Sequence, residues 1–291
     1  MKSIKTKLVS EIGCNHKGQF DLAKELVKLS KESGAYAVKF QKRTVRDSLE
    51  SEQYKKPHPD SYHAYGATYG QHREYLEFSI EQHAELKKYA ESLGVVWSTS
   101  VWDVTAAQEI IELNPEFIKI PSACNLNFLL VKTLRDEFKG DVHISLGMTS
   151  RLEQNKIVDF FVMTGQSHRL ILYSCTSNYP TAFNDVCLLE ISELQKKFSS
   201  VVKAIGFSGH HLGIAIDIAA ATLGATWIER HFTKDRTWKG TDHAASLEPG
   251  GFSKLSRDLI ALESALQYKT SDILTVEQAQ FEKLKTVRTL L

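Results

Sequence analysis

Two histidines stand 21 residues apart, His210 in GFSGHHLG and His231 in WIERHFT, each at the end of a short β-rich run and with an alanine-rich helical stretch between them. One helix between two strands brings such strand ends side by side, so the two imidazoles are expected to face each other across a shared mouth. Imidazole nitrogens there suit a divalent transition ion, Mn2+ or Zn2+, with the remaining positions left to water or substrate. The competing reading is a pair of satisfied core histidines. His211, His16 and His243 are further candidate ligands.

Lys39 and Lys119 lie inside otherwise apolar runs, AYAVKFQ and FIKIPS. An uncompensated buried ammonium is costly, so each needs an anionic partner or a lowered pKa. With Arg230 and the hydroxyls of Ser98, Thr99, Ser100, Ser122, Ser145, Thr176, Ser177 and Ser208, the two lysines would make a cradle for a phosphate and a carboxylate. Two alternatives stay open: each lysine is paired with a local glutamate, or one forms a Schiff base with a carbonyl substrate. Glu11, with Asn15 and His16 just beyond it, and Gln41 complete the polar strand ends.

Eight β-rich runs position these groups: 7–13, 35–41, 95–101, 117–122, 142–147, 170–177, 203–210 and 227–233. Helical patterns separate them, such as DLAKELVKLSKES, whose leucines share a face. Strand-then-helix repetition at this length predicts an α/β fold of the (β/α)8 TIM-barrel type, in which polar residues at the C-terminal strand ends build the site. Neither GxGxxG after the first strand nor GxxxxGK[ST] occurs, which removes the main support for an open nucleotide-binding sheet. The connection from Lys42 to Ser79 is too long for an ordinary loop and reads as a lid or wall over the site. Residues 1–270 are expected to form the catalytic barrel, and 271–291 a C-terminal helical tail.

The chain has 291 residues, 36 Lys plus Arg against 35 Asp plus Glu, and a net charge of +1. No global field therefore recruits nucleic acid or an anionic membrane, and local groups must hold any anionic ligand. The apolar stretch near the start is too short for a signal segment, and no run is long enough to span a bilayer; a cytoplasmic protein is expected. The four cysteines show neither CxxC pairing nor the density of a disulfide scaffold.

Assembled in order, EIGCNHKG, GAYAVKFQ, WSTS, KIPS, SLGM, CTSNYPT, GFSGHHLG and IERHFTKDRTWKGTDHAASLEP make a chain that resembles the sialic acid synthase family, whose members condense phosphoenolpyruvate with an aldose such as N-acetylmannosamine. YGATYGQHREYLEFS is similar to the animal-type members. The resemblance independently implies the barrel. It implies that His210 and His231 hold a divalent metal, Mn2+ first, with Mg2+ or Co2+ as alternatives, and that Lys39, Thr99, Lys119, Ser122, Ser145, Ser177 and Ser208 bind phosphoenolpyruvate. It places Glu11, Gln41, Tyr179 and Asp242 toward the sugar and the reacting centre, with Glu11 handling the proton of the attacking water. Small-molecule substrates are the implied partners, and a homo-oligomer is compatible with it. Three departures stand out: Cys124 replaces an acidic residue common in bacterial members, Gly209, His210 and His211 replace Asp-His-Thr, and the chain ends at Leu291 where the family usually adds an antifreeze-like domain. They point to an acceptor other than N-acetylmannosamine itself: mannose, its 6-phosphate or another modified hexose, with Lys55, Lys56 and Arg73 of the long connection available to a sugar phosphate. A pyruvate aldolase on the same barrel, or a silent sugar-phosphate-binding protein, are the competing readings.

Overall fold

The computed structural model describes residues 6–286. Eight parallel strands, β1 (Lys7–Gly13), β2 (Ala37–Lys42), β3 (Val96–Val101), β4 (Phe117–Ile120), β5 (Asp141–Ser145), β6 (Leu170–Cys175), β7 (Ala204–Gly209) and β8 (Trp227–His231), close in sequence order into a barrel, β8 pairing back onto β1. The expected architecture is the one found. Five strands, β4 to β8, stop earlier than their sequence patterns suggested. β4 ends before Pro121, which has no N–H for the ladder; β6 and β8 end at Cys175 and His231, where the chain turns outward to build the rim.

The principal helix after each strand is α1 (Phe20–Glu32), α5 (Ile80–Ser92), α6 (Val104–Glu112), α7 (Phe128–Glu137), α8 (Arg151–Val162), α9 (Glu190–Phe198), α10 (Ala215–Thr222) and α11 (Pro249–Ala265). The connection after β2 carries three more short helices, α2 (Val45–Ser48), α3 (Ser51–Lys55) and α4 (Tyr69–Leu76), and α12 (Gln278–Leu284) follows α11. Residues 287–291 of the expected tail lie outside the described residues. Capping boxes, Thr68 with Gln71 and Ser79 with Gln82, start α4 and α5 by satisfying backbone N–H groups that have no helical partner.

Side chains alternate across each strand, so the register decides what enters the barrel. Outward-facing Leu8, Val38, Phe40, Ile118, Ile120, Val142, Ile144, Leu172, Phe207 and Ile228 belong to the main core under the helices. Inward, Val9, Ala37, Phe117, Ile171, Tyr173 and Trp227 make a separate apolar plug. Above the plug the inward positions turn polar, and the molecule's chemistry sits there.

Candidate active site

The first polar layer holds four charges. Glu11 pairs with Lys39 across β1 and β2 in register, and Lys119 Nζ lies 2.7 Å from Glu229 Oε1. Glu229 Oε2 is 3.8 Å from Lys39 Nζ, so the carboxylate bridges both ammonium groups. Lys39 also donates to Ser100 Oγ at 2.7 Å, and Lys119 Nζ sits 4.1 Å over the Tyr173 ring. All four charged side chains are buried, with exposures of 1–5%. Burial pushes the Glu11 carboxyl up, only partly opposed by Lys39. Glu229 feels the same burial, but Lys119 and Lys39 together outweigh it and hold it down at about 2. Lys119 is lowered, by burial first, against the pull of Glu229. The two carboxylates flanking Lys39 are thereby differentiated, Glu11 pushed up by burial and Glu229 held down by the two lysines.

A hydroxyl rim lies above. A Cβ on Gly147 would sit 2.5 Å from Ser177 Oγ and 2.6 Å from Ser122 Oγ, so the two hydroxyls converge on a backbone that only glycine permits. Ser122 Oγ accepts from Gly147 N at 3.1 Å, and Asn125 Nδ2 fixes this turn by donating to Ser145 O and Gly147 O at 2.9 and 3.2 Å. Ser208 Oγ donates to Glu229 Oε1 at 3.2 Å, and Ser145 is buried on the inward register of β5. Gly13, at φ +53°, ends β1 at an irregular register, which lets Gln41 Nε2 reach Glu11 Oε1 at 3.1 Å.

His210 and His231 meet at the mouth, ring centroids 5.4 Å apart, with the Tyr179 ring 4.1 and 5.7 Å from them. His210 Nδ1 donates to Thr176 O at 2.9 Å, which leaves its Nε2 lone pair free, and burial pushes the ring's pKa down to about 3. His231 Nδ1 is buried without a hydrogen-bond partner and lies 3.7 Å from Asp242 Oδ2. Asp242 is held below its usual range: burial opposes this, but His231 and the Thr241 hydroxyl prevail. Its loop is tied down by Ser246, which donates to Asp242 O and accepts from Asn15. An unprotonated imidazole and an orphaned ring nitrogen beside a carboxylate form a donor set that fits one divalent cation. Among the described residues no group of three or more His, Cys, Asp or Glu side chains gathers as a metal cluster, so the protein would supply two imidazoles and leave positions open. The other histidines do not join them. His16 stacks on Phe78 at 4.1 Å, His211 contacts Arg230, and His243 bonds Thr233 Oγ1 at 2.7 Å.

Two expected site residues do not face the hollow. Arg230 alternates with Glu229 and His231 on β8, so its side chain points outward, where Nη1 reaches Asp217 Oδ2 at 2.5 Å and Nη2 reaches His211 O at 2.6 Å. It is a buried strut, not part of the anion cradle. Thr99 is in register with outward Phe40 and Ile118, and its hydroxyl reaches only Ser100 O at 3.4 Å; Ser98 and Ser100 take the inward positions. Glu229 is the residue that sequence reasoning left without a role. Cys124 sits in the turn after β4, its Sγ directed at Trp102 O.

The long connection after β2 folds across the mouth as a lid. Tyr65 Oη donates to Lys239 O at 2.5 Å and Gly240 N to His63 Nδ1 at 2.9 Å, joining the lid to the loop after β8. Beneath that seam a cavity is lined by Cys14, Asn15, Tyr65, Arg73, Thr241 and Asp242, among others.

The model of the NeuB family matches residues 26–271. The chain is 41% identical over 279 residues to N-acetylneuraminate-9-phosphate synthase of Homo sapiens, a match covering 95% of this chain and 76% of that one. It is 31% identical over 263 residues to N,N'-diacetyllegionaminic acid synthase of Campylobacter jejuni, covering 90% and 78%. Among solved structures, N-acetylneuraminic acid (sialic acid) synthetase of Leptospira borgpetersenii in complex with citrate superimposes with a TM-score of 0.81 at 26% identity, over 96% of this chain and 91% of that one.

Proposed function

The chain belongs to the NeuB family, and from that premise we propose that it condenses phosphoenolpyruvate with an aldose of the mannose or N-acylmannosamine type, giving a nonulosonic acid and inorganic phosphate. The observation that carries the proposal is the stacking of three features at the C-terminal strand ends: two ammonium groups bridged by carboxylates, a hydroxyl rim around Gly147, and two imidazoles at the mouth. The relative from Homo sapiens is named for a 9-phosphate product. Adding a three-carbon enol to C1 of a hexose makes C6 of the sugar the ninth carbon, so the corresponding acceptor here carries phosphate on C6. Among the described residues no helix is long and apolar enough to cross a membrane, and we assign the reaction to the cytoplasm.

Lys39 and Lys119 hold the charges of phosphoenolpyruvate, and Ser122, Ser145, Ser177 and Ser208 orient its phosphate by hydrogen bonds. When substrate enters, Glu229 and Glu11 give up part of their hold on the ammonium groups, so the empty site needs no uncompensated charge. A divalent ion held by His210 and His231, Mn2+ first, with Mg2+ or Co2+ as alternatives, would supply Lewis acidity to the sugar aldehyde. Gln41, Tyr179 and Asp242 face the acceptor and fix its carbonyl over the enol. The C2–C3 π electrons of phosphoenolpyruvate form the bond from C3 to C1 of the aldose, whose carbonyl π pair moves to its oxygen and takes up a proton; a water oxygen bonds to C2, and the C2–O bond to phosphate then breaks as C2 becomes a ketone and its hydroxyl proton leaves with phosphate. Glu11 takes the proton of that water, a role suited to a carboxyl whose pKa burial has raised.

The test is inorganic phosphate release from phosphoenolpyruvate with Mn2+ and a panel of mannose, N-acetylmannosamine and their 6-phosphates. Release that requires both substrates supports the reading. Release without any aldose, or none with any member of the panel, contradicts it.

A further inference from the structure

Arg73 on α4 lines the cavity under the lid with Asp242, Thr241, Asn15 and Cys14. Its Nε and Nη2 donate to Tyr69 Oη at 3.1 and 2.9 Å, which aims the guanidinium. Among the described residues no carboxylate lies within 4.0 Å of it. Asp242, in the same cavity, is engaged elsewhere: Oδ1 accepts from Thr241 Oγ1 at 2.9 Å and Oδ2 faces His231. Burial, with help from Arg73 itself, pushes neighbouring His72 down to about 3, so it adds no competing cation. Lys239, whose Nζ lies 5.0 Å over the Tyr65 ring, brings a second positive charge to the seam. The cavity thus adjoins the imidazole pair through Asp242 and offers a guanidinium whose N–H donors still lack an anion.

We propose that Arg73 binds the terminal phosphate of the acceptor sugar and sets the preference for phosphorylated over unphosphorylated acceptors. The proposal rests on the condensation reading for the identity of the ligand as a sugar phosphate. The lid is then a specificity element: it folds a fixed cation over the far end of the sugar while the aldehyde end lies at His210 and His231.

The experiment is calorimetric titration of N-acetylmannosamine 6-phosphate and N-acetylmannosamine into the native protein, Arg73→Ala and Arg73→Lys, without phosphoenolpyruvate. The native protein is expected to prefer the phosphorylated sugar. Arg73→Ala should cut that preference about 10- to 100-fold, the range for losing a charged hydrogen-bonding partner, and Arg73→Lys should retain part of it. Phosphoenolpyruvate affinity within about twofold of native, a margin far below one tenfold step of 1.4 kcal/mol, certifies that the variants are folded. An unchanged preference in Arg73→Ala, equal weakening of both sugars, or no preference in the native protein would each overturn the proposal. Arg73-dependent binding of the sugar phosphate without phosphate release from phosphoenolpyruvate would instead sink the condensation reading and leave this site standing.

Discussion

Replacing Glu229 with Gln removes the one carboxylate that touches both lysines. At the observed separations of 2.7 and 3.8 Å, an effective dielectric of about 20 gives roughly 6 and 4 kcal/mol of gross attraction. The desolvation of the carboxylate itself offsets much of this, and Lys119, already lowered by burial, has the option of shedding its proton. The net cost of breaking such a buried pair is about 3 kcal/mol, at the lower end of measured values. At about 2–4 °C per kcal/mol for a domain approaching this size, the melting temperature should fall roughly 6–12 °C. Phosphoenolpyruvate, which brings its own negative charges to the lysines, should recover more of that loss in Glu229→Gln than it adds to the native protein. Differential scanning fluorimetry with and without the ligand reads both quantities. The sign with pH follows from the lowered carboxylate: its contribution is complete above the unfolded glutamate range near pH 4.3 and disappears as pH falls toward about 2. The gap between variant and native should therefore close in acid. A variant that melts with the native protein at pH 7, or one to which the ligand adds the same shift, would refute the idea that Glu229 stands in for substrate charge.

His210→Ala or His231→Ala should abolish high-affinity Mn2+ binding, followed by electron paramagnetic resonance, and lower turnover by at least about 100-fold while phosphoenolpyruvate binding persists. Arg230→Met and Asp217→Asn should each cost about 3 kcal/mol as broken buried pairs, yet leave phosphoenolpyruvate affinity unchanged; a selective loss of affinity would return Arg230 to the anion cradle. Glu77, which accepts from Arg43 N at 2.9 Å, has its carboxyl raised by burial to about 7. A raised carboxylate costs stability as pH climbs from the unfolded value through the folded one, so Glu77→Gln should gain on the native protein between pH 4.5 and about 7. A melting-temperature difference that is flat with pH would contradict this.

The barrel was legible because each strand pairs an apolar body with a polar end, and because helical spacing recurs between strands. The buried lysines were legible for a different reason: an ammonium inside an apolar run demands a partner. The expectation of an anion cradle and the competing expectation of glutamate pairing describe one geometry, since the pairing carboxylates themselves point into the hollow. Arg230 was misplaced where three consecutive polar residues, Glu229, Arg230 and His231, obscured the alternation that sends the middle one outward. Thr99 came from the family resemblance, and the same alternation turns its side chain outward while Ser98 and Ser100 face in. Two-residue periodicity applied to these triplets would have found Glu229 as well. The lid was visible as length and composition, but its docking on the loop after β8 depends on contacts 174 residues apart, such as Tyr65 to Lys239, which no local pattern encodes.

The path of one oxygen atom tests the whole account most directly. With phosphoenolpyruvate labelled by 18O at the oxygen bridging C2 and phosphorus, and with acceptor and Mn2+ present, attack of water at C2 and cleavage of the C2–O bond send the label into inorganic phosphate. Mass spectrometry should find it there, with none in the sugar acid. Label retained in the organic product would mean that the phosphorus–oxygen bond breaks instead, and that the lysine and hydroxyl hollow does not carry out the chemistry assigned to it.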